Sequence, residues 1–138
     1  MQANQTVFVD ALGRRAAEVS AKLSRWLKDR KLPANASAEA HTALQRLRVS
    51  GMQIVPNLHQ ALSVPSGESA AVLTLTAIDS SVEAMHTLLG ALPTDPRAFS
   101  VVDDLMSLRD EVADRFPEAR QAMLSAHDDW ALTSSFRP

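Results

Sequence analysis

Residues 68–92 read ESAAVLTLTAIDSSVEAMHTLLGAL. At 100° per residue, Ala71, Leu75, Ile78, Val82, Met85 and Leu89 fall on one stripe, the spacing of a helix with a buried face. A second set lies off that stripe. Ala70, Ala77, Ala84 and Ala91 recur every seven residues, with Leu73, Ser80, Ser81, Thr87 and Leu88 around the same side. The only charged residues are Glu68, Asp79 and Glu83. A helix this apolar belongs at the centre of a fold or carries two buried faces. Small side chains let another backbone approach closely. Either a neighbouring helix covers the strip, or Ala70, Leu73, Ala77, Ala84, Leu88 and Ala91 form an interface. The simplest such assembly is a two-fold homodimer.

Upstream, Val64-Pro65-Ser66-Gly67 breaks the pattern, and Ser66 or Gly67 caps the third helix. The second helix begins near Ser37, with Glu39 in its first turn. Its stripe runs Ala40, Ala43, Leu44, Leu47, Gly51, Ile54, Val55, Leu58, Ala61 and Leu62, and Pro56 within it predicts a kink or a break. The first helix spans 6–31, burying Phe8, Leu12, Ala16, Val19, Leu23, Trp26 and Leu27, and Leu32-Pro33 ends it. Downstream, Asp95 as N-cap and Pro96 at the first helical position start a fourth helix. That helix buries Ala98, Val101, Leu105, Leu108, Val112 and Phe116. Pro117 then kinks the chain or opens a short fifth helix carrying Ala119, Ala122, Met123, Ala126 and Trp130. The expected fold is all-α: an up-down-up-down four-helix bundle, one domain over residues 1–132 with a frayed tail at 133–138.

Composition limits the chemistry. The 138 residues are 46% hydrophobic and 22% charged, a globular balance. Aromatics make up 4%, with no tyrosine, which argues against a drug-sized ligand pocket. The absence of cysteine removes disulfides, thiolate nucleophiles and cysteine-ligated metals, and fits a reducing compartment. Residues 1–8 lack the basic-then-apolar order of a secretory signal, and no apolar run reaches the roughly 20 residues that span a bilayer. A cytoplasmic protein without membrane attachment is expected.

Charge divides along the chain. Residues 1–60 hold nine Lys and Arg against four Asp and Glu, while residues 61–138 hold five against twelve. The bases Arg14, Arg15, Lys22, Arg25 and Lys28 share the outer face of the first helix. The acids Asp103, Asp104, Asp110, Glu111 and Asp114 share that of the fourth. Each is an ordinary solvated face or a surface that steers an oppositely charged partner. Nucleic acid is disfavoured by the acidic second half, the lack of interleaved aromatics and the lack of helix-turn-helix spacing.

No catalytic signature is present. His41, His59, His86 and His127 are too far apart in sequence for an H-x-x-x-H metal site. Glu83 and His86 match one E-x-x-H step, but di-iron bundles need two, so no metal or cofactor is expected. No G-x-S-x-G elbow or glycine-rich phosphate loop occurs. His86-Thr87-Leu88-Leu89-Gly90 resembles the H-T-L-K-G core of histidine phosphotransfer domains, which are also small four-helix bundles. The resemblance covers these five positions, and Leu89 stands where that family has lysine. It implies a phosphorelay intermediate with His86 as phosphoacceptor and a response-regulator receiver as partner. The reading of the whole chain is a non-catalytic protein–protein interaction module, an adaptor, chaperone or regulator, with the phosphorelay protein as its alternative.

Overall fold

A computed structural model describes residues 10–65, 67–92 and 95–126. The described residues form five α-helices and no strand. They are α1 (Ala11–Lys28), α2 (Ala38–Ser63), α3 (Glu68–Leu89), α4 (Pro96–Arg115) and α5 (Pro117–Ala126). The expectations for Phe8, Ser66, Trp130 and the 133–138 tail lie outside the described residues.

Local signals set most boundaries. Ser37 caps α2, its hydroxyl accepting the Ala40 N–H at 3.1 Å. Asp95 caps α4 by accepting the Arg97 N–H at 3.0 Å, with Pro96 at the first helical position. Three expectations change. The first helix starts at Ala11, capped by Asp10, and stops at Lys28, so Arg30 and Lys31 belong to the connector. The third stops at Leu89, which leaves Ala91 in the turn behind Gly90. Pro117 does not kink a continuing helix, because α4 ends at Arg115 and α5 opens at Pro117, where a missing N–H costs nothing. Pro56, by contrast, sits inside an unbroken α2. It points to solvent, so the Met52 carbonyl that loses its helical donor has water available.

The most extensive contact joins α2 to α3. The Ser50 and Ser81 hydroxyls meet at 2.9 Å, as far before the connector on one helix as after it on the other, so the two helices form an antiparallel hairpin. The connector is tight, since a Cβ on Gly67 would lie 2.2 Å from the Ala61 carbonyl oxygen. Helix α3 also touches α4 and α5, while α1 packs on α2 and α4. One core runs through all five helices and includes fully buried Leu23, Leu47, Ile54, Leu75, Ile78 and Leu105. Each such side chain contributes roughly 1.5–3 kcal/mol. The α2/α3 hairpin supplies four of these six, and so carries the larger share of the apolar burial.

Candidate functional site

The alanine strip of α3 is internal. Ala70, Ala77, Ala84 and Leu88 are buried, and helix α2 is the neighbour that covers them. Leu73 and Ala91 alone of the six are exposed, and Ala91 is outside the helix. This corrects the interface reading: a dimer through this strip would require pulling α2 away. The hydroxyls within the seam are satisfied locally, Ser50 donating to the Arg46 carbonyl and Ser81 to the Ala77 carbonyl, each at 2.8 Å. Small side chains and self-satisfied hydroxyls explain how the two backbones come close.

The basic face of α1 divides into two groups. Arg15 and Lys22 turn toward α4, where Lys22 Nζ lies 2.8 Å from Asp104 Oδ2 and Arg15 Nε 3.3 Å from Glu111 Oε2. Lys22 also donates to the Ser100 hydroxyl. The oppositely charged surface expected of a partner is thus, for these two residues, another helix of the same chain. Arg14, Arg25 and Lys28 remain exposed, and no ion pair holds them among the described residues.

Both ends of the α1/α4 pair are latched by a capping aspartate. Asp10 caps α1 and receives Arg115 from the end of α4 at 2.9 Å. Asp95 caps α4 and receives the Trp26 indole N–H and Arg30, each at 3.1 Å, with Arg30 stacked over the Trp26 ring. The Arg115 hydrogen bond holds the Asp10 carboxyl below its ordinary pKa. At Asp95 desolvation pushes upward, but the backbone N–H and guanidinium of Arg97 and the indole outweigh it and leave the pKa lowered. Between α3 and α4, Arg109 is 2% exposed with Nε 2.7 Å from Oδ1 of the half-buried Asp79, an ion pair whose guanidinium is buried.

Of the histidines, His41 and His86 are exposed and His59 is half-buried, while His127 is outside the described residues. No group of three or more His, Asp or Glu is placed to hold a metal ion among the described residues. His86 lies near the end of α3, and Gly90 follows as its C-cap. A Cβ at Gly90 would make an ordinary 3.5 Å contact, so packing does not demand glycine there. No described helix is long and apolar enough to cross a membrane.

The outer face of α2 is the surface that intramolecular packing leaves unmatched. Five large apolar side chains are exposed among the described residues: Val49, Met52, Val64, Leu73 and Phe99. Val49 and Met52, 58% and 76% exposed, are one helical turn apart on α2. Val49 and Leu73 flank a groove of about 520 Å³ between α2 and α3, with Gln45, Gln53 and Asn57 at its sides. Met52 flanks a second, of about 340 Å³, between α1 and α2, with Leu27 beside it and Lys28 and Arg48 at its rim. Gly51 shapes that second groove, because a Cβ there would come within 2.9 Å of Leu23 Cδ2. No Asp or Glu occurs between Glu39 and Glu68, so α2 beyond its first turn offers no carboxylate.

Apart from Leu73, the sequence reading missed this face. The available signal was two bulky apolar residues, Val49 and Met52, lying off the stripe of a long helix with no acidic residue beyond its first turn. Comparison of the chain with protein-family models, curated proteins and solved structures finds no match.

Proposed function

We propose that the chain is a non-catalytic protein-interaction module, an up-down-up-down four-helix bundle of α1 to α4 braced by α5, which meets its partner through the outer face of α2. The observation that carries this reading is the exposure of Val49, Met52 and Leu73 around a helix face that no other described residue covers. Clustered exposed apolar side chains rimmed by polar ones are the usual mark of a docking surface. A two-fold homodimer through this face is disfavoured, since it would bring Lys28 and Arg48 of each copy, neither in an ion pair among the described residues, against those of the other. The partner is therefore a different protein. A photo-crosslinking side chain placed at Met52, at Val49, and separately at Arg14 and Asp114 tests the reading in cells. Discrete products from the α2 positions alone support it, and equal products from every position, or none from α2, remove it.

A second reading follows from the exposure of His86. An accessible imidazole on a helical bundle meets the first need of a phosphorelay protein. Incubation with a small phosphodonor followed by detection of acid-labile phosphate, with His86→Ala as control, tests it. No label on His86 eliminates this alternative.

A further inference from the structure

Resting on the α2 reading, we propose that the partner presents an acidic amphipathic helix, laid along α2 with its apolar side chains over Val49 and Met52 and its carboxylates against Lys28 and Arg48. Charge complementarity supports this occupant. The chain as a whole is acidic, with net charge −2. Most of the paired carboxylates lie away from Met52: Asp104 and Glu111 pair with α1, Asp10 and Asp95 latch the helix ends, Asp79 is paired with Arg109, and Glu83 reaches only Arg46 on the α3 side of α2. Around Met52 the charged groups are Lys28 and Arg48, neither in an ion pair among the described residues. Apolar rows flanked by cations are what an acidic helix with apolar positions at i, i+3, i+4 and i+7 requires. The Met52 side chain, flexible and polarizable, suits repacking against such a ridge.

A synthetic peptide with Leu at i, i+3, i+4 and i+7 and Glu and Ala at the intervening positions, and the same peptide with Lys for Glu, provide the probes. Binding of each to the full chain is read by fluorescence anisotropy at low and high salt. The acidic peptide is expected to bind roughly ten-fold or more tightly than the basic one and to weaken in high salt. Arg48→Glu should reverse the preference, and Met52→Gln should weaken the acidic peptide about ten-fold, both at unchanged melting temperature because both side chains are exposed. Equal binding of both peptides that is lost in Met52→Gln would overturn the acidic partner while leaving α2 as the interaction face. Binding insensitive to Val49→Gln and Met52→Gln, or no binding at all, would overturn both. Two other occupants would also overturn it. Self-association suppressed by Asp103→Lys would assign the face to the acidic α4 of a second copy. Binding that appears only after removal of residues 127–138 would assign it to the chain's own C-terminal segment.

Discussion

Across the α1/α4 seam, Arg15 and Lys22 reach Asp104 and Glu111, and the capping aspartates at the two ends take Arg115 from the last turn of α4 and Arg30 from the connector just beyond α1. Across the α2/α3 seam, Ala70, Ala77 and Ala84 are buried along α2, and the polar contacts among the described residues are a buried pair of serine hydroxyls and one long, exposed Arg46–Glu83 ion pair at 3.9 Å. The first seam is held by partly exposed charge in high dielectric, where each pair contributes about 0–1 kcal/mol. The second is held by burial and close packing, which salt does not screen. The division also has a consequence at the surface. By drawing acidic groups of α4 onto α1, the fold leaves Arg48, Val49 and Met52 of α2 without an acidic or apolar cover among the described residues.

The comparison breaks most readily at the alanine strip. Ala84→Glu, placing a charge where exposure is 0%, should unfold the chain, with a loss of more than about 4 kcal/mol by chemical denaturation. A folded Ala84→Glu protein with altered molar mass would mean that α2 does not cover the strip. Arg109→Ala, which empties a buried site and leaves the half-buried Asp79 carboxylate without its guanidinium, should cost about 2–4 kcal/mol, whereas Arg109→Met, which keeps the packing, should cost less. Equal losses in the two variants would show that the uncompensated charge, not packing, governs this position.

Smaller effects belong to the ionic seam. Asp10 and Asp95 have folded pKa values below their unfolded ones, so their stabilisation is complete above about pH 4 and is lost as pH falls through the lowered folded values. The melting temperature should drop between pH 5 and pH 3, and the Asp10→Asn/Asp95→Asn double variant should flatten that drop. A double-mutant cycle on Lys22 and Asp104 should give less than about 1 kcal/mol and shrink in high salt. Smallest of all, Val49→Gln should change stability by no more than about 0.5 kcal/mol, which separates a docking residue from a packing one.

The helices were legible because their signals are local. Ser37, Asp95-Pro96 and the spacing of Leu47, Ile54 and Leu58 each declare a start or a buried face within a few residues. What was not legible is which face meets which. Periodicity placed Arg15 and Lys22 on one side of α1 and Asp104 and Glu111 on one side of α4, but a helical wheel carries no information about the neighbouring axis. The same ambiguity left the α3 strip divided between a neighbour and a partner, which packing against α2 resolves. Val49 and Met52 escaped notice because the stripe method attends to apolar residues that line up. These two do not line up with the core, and their exposure is what marks them.

A partner that docks on α2 must touch the molecule there and not on α4. Backbone amide shifts of the isotopically labelled full chain, titrated with the acidic helical peptide, would map that contact. The predicted changes cluster on α2 at positions 45–56, with neighbouring changes near Lys28 and Leu73 on the groove walls. Changes centred on the α4 face around Asp103 and Asp110, or none at saturating peptide, would contradict the claim that α2 is the interaction face.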